Sequence, residues 1–220
     1  LTLEAFIFDL DGVLTDTAVF HYQAWKRLAE EIGAEFNWEI NHKLRGVSRR
    51  ASMEIIFEGH DLSETEIKAG MTRKNGYYQE FIAQMSPDDI LPGALDLLKE
   101  IREAGIKIGL GSASKNARTV LDAIGLTPMI DVIGDGYSVE RSKPEPDLFL
   151  YVAHELAISP ENCVVFEDAA AGIEAANRAG MYSVGIGDAE RLPGSDVVYP
   201  SLEGVTLDQI REDLGAARAY

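Results

Sequence analysis

The sequence predicts a doubly wound α/β fold, a parallel sheet of Rossmann type, with a helical domain inserted after its first strand. Two observations predict it. From about residue 90 onward, short apolar runs alternate with amphipathic helical stretches, the rhythm of βαβ units whose sheet is covered on both faces. Residues 16–89 break that rhythm: they carry helical patterning and no convincing strand. The expected organisation is a discontinuous core of residues 1–15 and 90–220 and a helical module of residues 16–89.

Residues 3–8, LEAFIF, form an apolar run that ends at Asp9 and read as a buried strand. Beyond Thr17, the residues Trp25, Leu28, Ala29 and Ile32 recur at helical spacing until Gly33 stops the helix. Ser63 and Glu66 make a capping-box pattern that opens a long helix toward Met85. The polar stretch 86–89 and Pro92-Gly93 then mark a break. Helices are expected over 94–104, 117–124, after Pro146 and over 170–179; strands are expected over 106–111, 130–133, 163–167 and 182–186. The stretch after Gly187 carries no motif with a chemical reading.

Composition narrows the function. The chain has 220 residues, 46% hydrophobic and 26% charged, as expected of a folded chain with a real core. Its formal charge of −17 repels nucleic acid and anionic membrane surfaces, so neither is an expected partner. Any anionic ligand must be held by a local cluster of cations and N–H donors. The single cysteine, Cys163, lies in the apolar run CVVF and reads as a buried, inert thiol. No apolar stretch approaches the roughly 18 residues of a membrane span. No signal peptide is recognisable in LTLEAFIFDLDG. A cytoplasmic monomer is the expectation.

In open parallel sheets ligands bind beyond the carboxyl ends of the strands, so the residues following each strand test function. The first strand is followed by Asp9-Leu10-Asp11-Gly12, the second by Ser112-Ala113-Ser114-Lys115-Asn116, and the fourth ends in Glu167-Asp168. Ser142-Lys143-Pro144 precedes another helix. Taken singly, D-x-D-G reads as a turn, Lys143 as a solvated lysine, Ser112 as a loop residue and Glu167-Asp168 as a helix cap. Together, on one edge of one sheet, they suit a divalent ion facing a phosphoryl group. Asp9 alternates with Asp11 in an extended chain end, so both carboxylates can face one side while Leu10 faces the other. Asp9 would be the nucleophile and Asp11 the general acid and base. Mg²⁺, a hard cation that prefers oxygen, would draw on Asp9, Asp11, Glu167 and Asp168. Ser112, Ala113 and Lys143 would hold the transferring phosphoryl oxygens.

The motifs DLDGVLTD, SAS after the second strand, SKPEPDLF and EDAAAGIEAA resemble, in order and spacing, the four motifs of the haloacid dehalogenase superfamily. The resemblance covers almost the whole chain and implies its core fold, with residues 16–89 as the α-helical cap. The second aspartate of the first motif favours phosphoryl chemistry, because dehalogenating members lack it. Within the cap, Thr17, His21, Ala24-Trp25, Arg45-Gly46-Val47-Ser48-Arg49, Ser52 and Arg73-Lys74-Asn75 are similar to the signature of the β-phosphoglucomutase family, and Ser114-Lys115-Asn116 extends it. That resemblance implies a small sugar phosphate and its bisphosphate as partners. Arg49, Ser114, Lys115 and Asn116 would grip the phosphate that is not transferred. His21 and Lys74 would face the sugar, Thr17 would help place Asp11, and Trp25, Gly46, Val47, Ser52 and Asn75 would line the substrate site.

Two other classes share parts of this pattern. A sugar phosphate phosphatase would keep every core motif and let water attack the phosphoaspartate. A non-catalytic phosphate sensor is disfavoured by the intact Asp9, Asp11, Ser112, Lys143 and Asp168. A dinucleotide site is poorly supported: Gly109-Leu110-Gly111 begins a G-x-G, but Ser114 stands where the third glycine belongs.

Overall fold

A computed structural model describes residues 2–44 and 49–217. Its strands are β1 (Ala5–Phe8), β2 (Lys107–Gly111), β3 (Val132–Gly134), β4 (Cys163–Glu167), β5 (Tyr182–Ile186) and β6 (Val197–Tyr199). Its helices are α1 (Ala18–Ile32), α2 (Trp38–His42), α3 (Arg49–Ile56), α4 (Glu64–Ile82), α5 (Ala94–Glu103), α6 (Ala117–Ala123), α7 (Asp147–Leu156), α8 (Ala170–Arg178) and α9 (Leu207–Ala217). The strands lie in the order β3-β2-β1-β4-β5-β6 and every neighbour pairs parallel. The expected parallel α/β sheet is present.

Two elements toward the C-terminus were not anticipated, β6 and α9. β6 is a three-residue edge strand, too short for an alternating pattern to show in sequence. Helix α9 does carry a signal, since its buried Leu207, Ile210 and Leu214 follow helical spacing.

By contact the chain divides into two compact units, Leu1–Asp16 with Met85–Tyr220, and Thr17–Gln84. In the larger unit, β1 is buried on both faces. Ala5 and Ile7 join Phe149, Val152 and Ala153 of α7 and Ala175 and Ala176 of α8 in one cluster. Alternation sends Phe6 and Phe8 to the other face, where both rings meet Phe166 of β4, with centroids 5.6 and 4.6 Å away. Cys163 is fully buried on the Ala5 and Ile7 face, and burial pushes its thiol up to about 12.

The smaller unit is all helical. Trp25, Leu28, Ala29, Met53, Ile56 and Phe57 form its core. Gly33, at φ 80°, ends α1 as expected, and α4 begins with the capping box: Ser63 Oγ accepts from the Glu66 N–H, while the Glu66 carboxylate accepts from the Ser63 N–H at 2.8 Å.

Register is what makes a site. Phe8 lies opposite Leu110 of β2 and Phe166 of β4, so three chains leave the sheet at one level. The Asp9 N–H donates to the Phe166 carbonyl at 2.9 Å and extends the ladder by one residue.

The Phe8–Phe166 stack sits at the centre of this arrangement. Phe166→Ala should cost about 3–5 kcal/mol, read as a lowered urea midpoint with an unchanged slope. A loss under about 1 kcal/mol would contradict this central role.

Candidate active site

The tip of β1 turns sharply. The Leu14 and Thr15 N–H groups donate to the Leu10 carbonyl at 3.0 and 3.1 Å, and the Gly12 N–H donates to the Thr15 carbonyl at 2.7 Å. Leu10, Val13 and Leu14 are buried and anchor the turn. Gly12 has φ 80°, and a Cβ there would collide with the Asp168 side chain; only glycine brings the β1 and β4 tips this close.

Lys143 ties those tips together. Its ammonium donates to Asp9 Oδ1 at 2.5 Å and to Glu167 Oε1, with the three side chains 10, 12 and 1% exposed. Burial lowers the Lys143 pKa, but the attraction of the Asp9 and Glu167 carboxylates outweighs it and holds the ammonium well above its ordinary value. The second Glu167 oxygen accepts the Ala169 N–H at 3.0 Å. Asp168 is raised to about 6, first by burial and then by repulsion from Asp9, with Lys143 opposing. The cluster thus holds more carboxylates than cations.

Among the described residues, no three His, Cys, Asp or Glu side chains gather as a metal cage. Glu167 is held through one oxygen by Lys143 and through the other by the Ala169 N–H. Asp9, Glu167, Asp168 and backbone oxygen of the β1 tip are hard oxygen donors. That donor chemistry fits Mg²⁺.

Beyond β2 the chain turns through 112–116. Buried Ser112 accepts the Ser114 N–H on its Oγ at 3.2 Å, and Ser114 Oγ accepts the Asn116 N–H at 3.2 Å. Ala113 and Lys115 are exposed and Asn116 is buried. Among the described residues Lys115 has no carboxylate within ion-pair distance; its ammonium lies 5.0 Å from the Tyr137 ring centroid. Ser112, the Asp9 tip and Lys143 therefore share one edge of the sheet.

In the helical unit, the Lys74 ammonium donates to His21 Nδ1 at 2.6 Å. An imidazole that accepts at Nδ1 is neutral, with its proton on Nε2. Burial, then the positive charges of Lys74 and Arg49, hold His21 well below its ordinary pKa. Tyr78 was not anticipated from the sequence. Its ring stacks on His21 at 4.1 Å, lies 5.0 Å from the Lys74 ammonium, and its hydroxyl donates to Thr17 Oγ1 at 2.9 Å. The available signal was its place four residues after Lys74, on the same face of α4.

Trp25 is 4% exposed within the helical core cluster, with the Lys74 ammonium 5.1 Å from its ring centroid. Ser52 is also buried, Arg49 opens α3, and Asn75 is partly buried in α4. Gly46 and Val47, with Arg45 and Ser48, lie outside the described residues.

Comparison with known proteins adds four findings. A family model described as haloacid dehalogenase-like hydrolase matches residues 3–180. A β-phosphoglucomutase of Bacillus subtilis is 41% identical over 215 residues, 96% of this chain and 95% of that protein. A crystal structure of a β-phosphoglucomutase from Clostridium difficile superposes with a TM-score of 0.89 at 42% identity, covering 97% of this chain and 98% of that one. A phosphorylated carbohydrates phosphatase of Thermotoga maritima is 30% identical over 181 residues, 81% of this chain and 82% of that protein.

Asp168 makes stability depend on pH. Its folded pKa of about 6 exceeds the ordinary aspartate value, so the folded state holds the proton more tightly, and stability falls as pH rises from about 4 to 7. In EDTA, wild type should therefore lose stability relative to Asp168→Asn over that interval, read by calorimetry. Parallel stability curves would contradict it.

Proposed function

The chain belongs to the haloacid dehalogenase-like hydrolase family, and from there we propose that it interconverts β-glucose 1-phosphate and glucose 6-phosphate through a phosphoaspartate at Asp9 and a β-glucose 1,6-bisphosphate. The observation that carries this reading is Lys115. It is an exposed cation with no carboxylate partner among the described residues of a chain of charge −17, and it stands apart from the Lys143 cluster. One phosphate needs one grip. A bisphosphate that must bind in two orientations needs two, and Lys143 and Lys115 would supply them in the core.

The chemistry follows from the chain's own groups. An Asp9 carboxylate oxygen attacks phosphorus, the bond from phosphorus to the sugar oxygen breaks, and Asp11 gives that oxygen its proton. In the reverse half, Asp11 takes the proton of the incoming sugar hydroxyl as that oxygen attacks the phosphoaspartate. Lys143 and Ser112 hold the equatorial phosphoryl oxygens. Mg²⁺, held by Asp9, Asp168 and the Asp11 carbonyl, would offset the repulsion between a carboxylate and an anionic phosphoryl group. Glu167 is assigned to holding Lys143 in place.

The helical residues are assigned to the rest of the substrate. Arg49, like Ser114, Lys115 and Asn116, is assigned to the distal phosphate, for which its guanidinium offers bidentate geometry. Neutral His21 with Lys74 can donate hydrogen bonds to sugar oxygens, and Thr17 is fixed by Tyr78 next to Asp16. The 41% identity to a β-phosphoglucomutase over nearly the whole length supports the mutase assignment. The 30% identity to a carbohydrate phosphatase favours the second reading, in which water is the acceptor.

Incubation with β-glucose 1-phosphate, Mg²⁺ and a trace of the bisphosphate separates the two. Glucose 6-phosphate should form without inorganic phosphate; stoichiometric phosphate release would select the phosphatase. Asp9→Asn should lower turnover by at least about 10³-fold, a loss of about 4 kcal/mol of transition-state stabilisation, without changing the fold. Arg49→Ala should raise KM with kcat less affected; unchanged kinetics would remove Arg49 from the distal grip.

A further inference from the structure

A loop used by none of these roles, residues 134–138, backs the 112–116 turn. The Ser112 N–H donates to the Gly134 carbonyl and the Gly136 N–H to the Ser114 carbonyl, each at 3.1 Å. Gly136 comes so near that a Cβ there would stand 2.5 Å from the Ala113 oxygen and 2.8 Å from Lys115 Cγ. A side chain at that position would push the turn away.

Asp135 fixes the loop. Its carboxylate, in a residue only 6% exposed, accepts from Arg118 Nε at 2.9 Å, the Tyr137 N–H at 2.9 Å and Ser138 Oγ at 3.3 Å. Arg118, in the first turn of α6, also donates to the Ile133 carbonyl at 3.1 Å. One ion pair therefore joins the end of β3 to the helix that leaves the 112–116 turn.

The product of this bracing is a displayed ring. Tyr137 is 73% exposed, more than any other large apolar or aromatic side chain among the described residues. It contributes little to the core; what it meets is the Lys115 ammonium. An ammonium over an aromatic face is attracted by the ring quadrupole, and the long lysine stem loses part of its rotamer freedom before a ligand arrives.

We propose that Tyr137 is a positioning residue for the distal phosphate: its ring pre-aims Lys115, while Arg118, Asp135 and Gly136 set the height of the turn so that Ser114 and Lys115 reach one anion. This rests on the assignment of Lys115 made above and deepens it. The ring acts on capture of a sugar that carries a second phosphate and leaves the displacement at Asp9 untouched. Hydroxyl chemistry plays no part, so the ring alone suffices.

Tyr137→Ala and Tyr137→Phe in the magnesium-loaded full chain test this. Tyr137→Ala should raise KM for β-glucose 1-phosphate roughly two- to fivefold, the size of an exposed cation–π contact. Its kcat and its rate of phosphorylation by acetyl phosphate, a donor with no second phosphate, should stay within about twofold, because neither step needs the ring. Tyr137→Phe should keep the wild-type KM, and both variants the wild-type melting temperature. Wild-type KM in Tyr137→Ala, or equal impairment in Tyr137→Phe, would overturn the proposal. If wild type releases phosphate instead of isomerising, the mutase reading fails, while the same KM comparison, read by phosphate release, still decides the role of Tyr137.

Discussion

One buried ammonium organises the core. Lys143 reaches from the loop before α7 to the tips of two neighbouring strands and binds Asp9 and Glu167 at once. Taking three charges out of water is costly, and removing one partner from such a group typically costs about 3–5 kcal/mol because the others are left buried and unpaired. The arrangement persists because register has already aligned the two tips beside each other. It also leaves the site short of positive charge. Asp168, next in sequence to Glu167, is raised to about 6 first by burial and then by repulsion from Asp9. A divalent cation and the lysine together would balance what neither balances alone.

The rest of the chain separates tasks that a single cation cluster could not serve. The strongly acidic surface field repels a phosphorylated sugar at long range, so recognition depends on short-range donors. Lys143 and the Ser112 turn address one phosphate; Lys115, steadied by Tyr137, addresses the other in the reading proposed here. In the helical unit, His21 is kept neutral by burial and by the neighbouring cations. It can therefore serve as a neutral hydrogen-bonding group near neutral pH.

The sheet was legible because its strands are short apolar runs bounded by glycine or charge, and β4 and β5 match the expected 163–167 and 182–186. The acidic tips were legible because strand ends in a parallel sheet converge by construction. Contacts between distant elements were not. Nothing in sequence says that Lys143 chooses Glu167, 24 residues away. Trp25 keeps helical spacing with Leu28, Ala29 and Ile32, and it packs in the helical core. Tyr78 and Tyr137 act through rings whose partners lie on other segments, and only three-dimensional placement reveals them.

The central claim is that Asp9, held by Lys143, takes the phosphoryl group. Its most direct measurement is to expose the magnesium-loaded enzyme to radiolabelled substrate, quench in acid and map the label by peptide. The account predicts an acid-stable, base-labile phosphate on the peptide that contains Asp9. Label on any other residue, or steady turnover with no enzyme-bound phosphate at any quench time, would contradict it.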